Sequence, residues 1–230
     1  MKINYKIVSG EVKQIRPNIF AVIIKNDYDR SMLFCRYQEY YESSFPEIRR
    51  KFFTLEEFMR IYTIENKKSY FSYPEDWAGY NVPSNVLMEA EHVFSNNVNL
   101  YDEIMSEIIH YCIGESSYKP WYLISADKIN SSIMNHEIAH GLYYTNPTYK
   151  FEMDRLISNI DSKTYRKLKK ELIKIGYVND NKIIDDEIQA FMSTGKLSTW
   201  KMEDYEKYSK DFVKVFKKYN KKKHKSIETE

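Results

Sequence analysis

The stretch Ser131-Ser132-Ile133-Met134-Asn135-His136-Glu137-Ile138-Ala139-His140-Gly141-Leu142-Tyr143-Tyr144 decides the reading of this chain. Met134, Ile138 and Leu142 recur at every fourth position, which predicts a helix over residues 131–144 with one buried stripe. His136 and His140 then lie one turn apart on the opposite side, so both imidazoles can reach one metal ion. Glu137 stands beside them, where its carboxylate can hold a water. The chain has only five His in 230 residues. Chance yields a His-Glu-x-x-His pentapeptide in roughly one such chain in a hundred, so the pattern is informative. The plain alternative is a solvated helix face that carries two His and a Glu.

Working outward from this helix, Trp121-Tyr122-Leu123-Ile124 behind Pro120 is a short strand signal. Helical patterns follow over 147–160, 162–175, 183–194 and 201–219, with Asn146-Pro147 as a start and Gly176 and Gly195 as stops. At the amino-terminal end, Ile3, Tyr5 and Ile7 alternate with polar residues, Ser9-Gly10 predicts a turn, and Val12 and Ile15 resume before Pro17, which reads as a hairpin. Residues 19–24 are apolar throughout, as in a central strand covered on both faces. A helix is expected over 28–41. Another runs from Thr54, whose spacing to Glu57 makes a capping box, to about Tyr62. Residues 72–83 read as an aromatic loop because Pro74, Gly79 and Pro83 punctuate Tyr73, Trp77 and Tyr80. Ser84 is expected to cap a helix reaching Phe94, and a further helix spans 100–113 and ends at Gly114. The fold class expected is α+β. A mainly helical metal-binding region over 119–220 is packed against residues 1–118, which hold a small mixed or antiparallel sheet. Residues 221–230, with Lys221, Lys222, Lys223 and Lys225, read as a disordered basic tail.

Composition narrows the functions. The 35 Lys and Arg nearly balance the 33 Asp and Glu, so no global field marks a binder of nucleic acid or anionic membrane, and the basic tail reads as a solvated end rather than a nucleic-acid contact. At 43% hydrophobic and 16% aromatic, the chain can bury a full core. The longest apolar run, residues 19–24, is far too short to span a membrane, and the first ten residues lack the apolar core of a secretory signal. Cys35 and Cys112 read as buried thiols, which suits a reducing cytoplasm.

A catalytic zinc takes a third protein ligand besides two His. His92 and His110 sit in amphipathic patterns that suit packing or surface roles. Glu187 is the better candidate: Ile184 and Ile188 give its helix a core face, and small Ala190 allows close approach. Asp154, Asp185 and Asp186 remain alternatives, and Asp186 is also the candidate to orient His136 or His140 through the other ring nitrogen.

The His-Glu-x-x-His helix, preceded by the strand at 121–124 and followed by a helix bearing Glu187, resembles the zincin metallopeptidases of the gluzincin kind. The detail Glu187-x-x-Ala190-Phe191 is similar to the ImmA/IrrE-type intracellular metallopeptidases, in which a Glu followed by Ala and Phe closes the site. The resemblance covers residues 121–195. No Gly and His follow His140 at the metzincin spacing, and residues 1–118 resemble only uncharacterised phage and bacterial proteins. The resemblance implies a zinc-dependent metallopeptidase, with Zn2+ on His136, His140 and Glu187 and with Glu137 as general base. The transition-state donor would be Tyr144, with Tyr143 and Tyr177 as options. Its partner is a peptide or protein substrate, which the strand at 121–124 would pair with as a sheet edge. The competing reading is a protein-binding module on the same scaffold, with the aromatic segment 73–80 as its recognition surface.

Overall fold

The computed structural model describes residues 1–126, 131–195 and 205–221. The basic tail beyond Lys221 and the first residues of the helix expected at 201 lie outside them. The fold is α+β and mainly helical. Five strands, β1 (Lys2–Asn4), β2 (Ser9–Arg16), β3 (Ile19–Ile23), β4 (Gly79–Pro83) and β5 (Tyr122–Ala126), form one mixed sheet in the order β1-β2-β3-β5-β4. β3 and β5 pair in parallel, with Ile19 opposite Tyr122 and Val22 opposite Ser125, and every other pairing is antiparallel. A parallel pair needs a long crossover. Here it contains α1 (Asp27–Glu42), α2 (Leu55–Glu65), the single turn α3 (Tyr73–Asp76), α4 (Ser84–Phe94) and α5 (Leu100–Glu115).

Both sheet faces are covered, and the alternation of β3 and β5 divides the core. Phe20, Val22, Ile24, Trp121 and Leu123 join the cluster of the first helices. Ile19, Ala21, Tyr122, Ile124 and Ala126 join α6 (Ser132–Thr145), α7 (Pro147–Ser158), α8 (Ser162–Lys174), α9 (Asn181–Thr194) and α10 (Glu206–Tyr219). This is why residues 19–24 are apolar without a break. One sheet thus draws strands from both sides of residue 118. Helix α6 lies against it, and Gly141 allows the close approach: a Cβ there would stand 2.9 Å from the Ile19 side chain.

Local chemistry sets the helix ends. Thr54 Oγ1 accepts from the Glu57 N–H at 3.1 Å while Glu57 Oε2 accepts from the Thr54 N–H at 2.7 Å. Ser131 caps α6 by accepting from the Met134 N–H at 3.0 Å, Asn146 caps α7 with Pro147 following, and Gly195 ends α9 with φ 71°. Cys35 and Cys112 are buried free thiols. His92 and His110 are exposed. Among the described residues no helix is long and apolar enough to cross a membrane.

Four expectations need correction. Ser9 and Gly10 begin β2, and the hairpin turn lies earlier, where the Tyr5 N–H donates to the Val8 carbonyl at 2.8 Å. Residues 72–83 are not a loop throughout: their first part is the turn α3 and their last part is strand β4. Ser84 is the first helical residue of α4 and caps nothing. Its hydroxyl instead accepts from the Trp121 N–H at 3.2 Å, tying α4 to the start of β5. Strand β5 is interior, so the sheet edge near α6 is β4, and its Asn81 N–H is already engaged by Gln38 Oε1 at 3.0 Å.

Candidate metal centre

Helices α6 and α9 pack together, and the residues they face toward each other are His136, His140 and Glu187. One ligand atom from each lies within 4.8 Å of the others, and all three side chains are buried. His136 Nε2 and His140 Nε2 are 3.2 Å apart. The Glu187 carboxylate reaches 3.6 Å from the first and 3.5 Å from the second. Two nitrogens bound tetrahedrally to one zinc at ordinary bond lengths stand ~3.3 Å apart, so the spacing suits such an ion. Two imidazoles and a carboxylate are also the donor types that borderline divalent ions take. The group can therefore hold a metal ion.

A second layer of bonds orients the ligands. Asp186 Oδ1 lies 2.8 Å from His140 Nδ1. With Nδ1–H donated there, the Nε2 lone pair is left for the centre. Asp186 is steadied by Gln189 Nε2 at 2.9 Å, and Gln189 Oε1 accepts the Tyr149 hydroxyl at 2.9 Å, so α7 supports the site through α9. Phe191 packs on the His136 ring with centroids 4.5 Å apart. Burial pulls the His140 pKa down, but the carboxylates of Asp186 and Glu187 outweigh it and push it up to about 10. The site's own field thus favours a cation.

Glu137, His136 and Glu187 line a cavity of about 520 Å³ whose far wall is α1 and β4. Asn81 Nδ2 donates to Glu137 Oε2 at 2.8 Å, and Gly79 leaves room for the carboxylate: a Cβ there would lie 2.3 Å from Glu137 Oε1. Glu39 and Glu42 of α1 line the same cavity. Burial first, and the nearby Glu187 second, push the Glu42 pKa well above the usual carboxylate range.

The structure brings His136, Glu137, His140, Asp186 and Glu187 together. It places Tyr144 elsewhere: that hydroxyl donates to Asn85 Oδ1 at 2.8 Å, its ring leans on Tyr122, and it does not line the cavity. At i+4 from His140 but one turn further along α6, Tyr144 looks toward the start of α4. Tyr143 donates to Asp154, which also takes Lys150 at 3.0 Å, and Asp185 takes the Tyr165 hydroxyl at 2.7 Å. Asp154 and Asp185 are therefore occupied outside the centre. Tyr177 does line the cavity. Burial and then Glu187 raise its pKa well above the ordinary value, so it keeps its proton and donates to Glu187. Sequence reasoning missed Gln38, Glu42, Asn81 and Gln189. The first three stand on α1 and β4, far along the chain, and no local pattern marks them.

Searches against protein-family profiles, curated proteins and solved structures each return no match.

Proposed function

We propose that this protein is a zinc metallopeptidase of the gluzincin kind that hydrolyses peptide bonds in peptide or protein substrates. The observation that supports this reading is the convergence of His136 Nε2, His140 Nε2 and the Glu187 carboxylate within 4.8 Å, with Glu137 lining the same cavity. In this reading His136, His140 and Glu187 hold Zn2+, which when bound supplies a Lewis acid and lowers the pKa of a coordinated water toward neutrality. Glu137 accepts a proton from the attacking water and returns it to the leaving amine. Asp186 keeps His140 in the tautomer whose Nε2 faces the centre. Tyr177, unlike Tyr144, lines the cavity, and its hydroxyl, which donates to Glu187, would turn from that carboxylate to the oxygen that gains charge. The two buried thiols support a cytoplasmic, reducing setting.

The test measures zinc per chain and hydrolysis of a broad peptide library by the native protein, Glu137→Gln and His140→Ala. One zinc per native chain is expected. Glu137→Gln should keep the metal and lose roughly 10²- to 10⁴-fold in rate, and His140→Ala should lose the metal. A native protein that cleaves nothing, or a Glu137→Gln variant that cleaves as well as the native one, overturns the proposal and favours a binding module.

A further inference from the structure

The two oxygens of Glu137 are held in different ways. Oε2 accepts from Asn81 Nδ2 at 2.8 Å, while Oε1 faces the backbone of Gly79, which only a residue without a Cβ can bring so close. The side-chain amide of Asn81 is itself fixed in direction. Its Oδ1 accepts the Tyr122 hydroxyl at 2.6 Å, and Tyr122 is fully buried on β5. A buried phenol keeps its proton, so toward Asn81 it acts as the donor. Turning the amide over would set its oxygen against the acceptor-only Glu137 carboxylate, a repulsive contact, and would give up the bond from the Tyr122 hydroxyl to Oδ1. Gln38 Oε1 holds the Asn81 backbone N–H at 3.0 Å and fixes the strand as well. The bonds run one way, from Tyr122 through Asn81 to Glu137.

We propose that Asn81 is a positioning residue for the Glu137 carboxylate: its amide, oriented by Tyr122, fixes the rotamer and plane of Glu137 and leaves one oxygen to take the proton. This rests on the peptidase reading above. A base misplaced by about 1 Å costs on the order of 10²-fold in rate, and a side chain that orients an active-site group is commonly worth about 10- to 100-fold.

The experiment measures kcat, KM and zinc content for the zinc-loaded native protein, Asn81→Ala, Tyr122→Phe and Glu137→Gln, and for each of the first two variants combined with Glu137→Gln, on a peptide the native protein cleaves. Asn81→Ala should lower kcat about 10- to 100-fold with KM within about twofold and zinc retained. Tyr122→Phe keeps the core ring and should lower kcat about 3- to 10-fold, so it carries the test if Asn81→Ala does not fold. In the Glu137→Gln background neither change should lower kcat further, because no base remains to be positioned. An equal loss in that background, a loss confined to KM or to zinc content, or no loss at all overturns the role of Asn81 while leaving the peptidase reading intact. A native protein that cleaves no peptide overturns the peptidase reading and this role with it.

Discussion

Replacing Glu39 by Gln should make the protein more stable at neutral pH and leave it almost unchanged in acid. Glu39 lies on α1 in the wall of the cavity and is 8% exposed. Burial pushes its pKa from the ordinary 4.5 up to about 7, against the pull of hydrogen bonds from Ser43 and Tyr73. Below pH 4.5 the carboxyl is protonated in the folded and unfolded chains alike and has no effect on the balance. Between 4.5 and 7 the unfolded chain has released a proton that the folded chain keeps, so native stability falls by up to about 1.4 kcal/mol for each pH unit gained. Above 7 the loss levels off at ~3 kcal/mol. Gln does not titrate, so the stability of Glu39→Gln relative to native should rise by ~3 kcal/mol between pH 4 and pH 8, or about 6–12 °C in Tm for a chain of this size. Urea unfolding of both proteins, stripped of metal with a chelator and measured at half-unit steps from pH 4 to 8, reads the difference directly. If that difference stays constant within about 0.5 kcal/mol, Glu39 loses its proton at the same pH in the folded and unfolded chains, and the assignment of a desolvated carboxyl to this wall is wrong.

Other perturbations test other parts of the molecule. Asp102→Ala leaves the Arg36 guanidinium, which also donates to the carbonyls of Asn97 and Phe53 and lies over the Phe94 ring, as a buried charge without its counter-ion. Unfolding should become easier by about 3–5 kcal/mol, and a loss under about 1 kcal/mol would mean that water reaches the pair. Gly79→Ala drives a methyl into Glu137 Oε1 and Ile133. We expect a cost of about 1–3 kcal/mol by thermal unfolding and a displaced Glu137 in a crystal structure of the variant, whereas an unmoved carboxylate would refute the tight fit. Asp186→Ala removes the acceptor of His140 Nδ1 and should weaken zinc binding about 10- to 100-fold in a chelator competition. Unchanged affinity would show that His140 is oriented by something else.

The centre was legible in outline because its ligands come from patterns that are local. His136 and His140 share a turn, and the helix that carries them announces itself by Met134, Ile138 and Leu142, which are buried as that stripe requires. Glu187 could be singled out because Ile184 and Ile188 give its helix a core face. The direction of Tyr144 could not be read, since one further turn of α6 takes it from the cavity to Asn85. Strand β4 was hidden for a different reason. Its Gly79 and Pro83 look like breakers, and its strand partner, β5, lies some 40 residues later in the chain. Helix α1 was recognised as a helix, but eleven of its residues are buried, among them Arg30, Arg36, Gln38 and Glu39. A polar residue on a helix reads as a solvent face until the elements packed around it are known.

By itself, the amino-acid sequence determined the helical character of the second half, the central strand at 19–24 and the identity of the paired imidazoles. Those features follow from periodicity, capping and spacing within a few residues, where chain geometry leaves little choice. Only the tertiary structure decided that β4 forms the edge beside α6, that Asn81, held by Gln38, bonds Glu137, and that Tyr177 rather than Tyr144 lines the cavity. Those juxtapositions depend on the crossover that brings β3 and β5 together and lays α1 and α6 around the same edge. Distance along the chain carries no trace of it, because a buried hydrogen bond is equally good whether its partners are four residues apart or fifty-six.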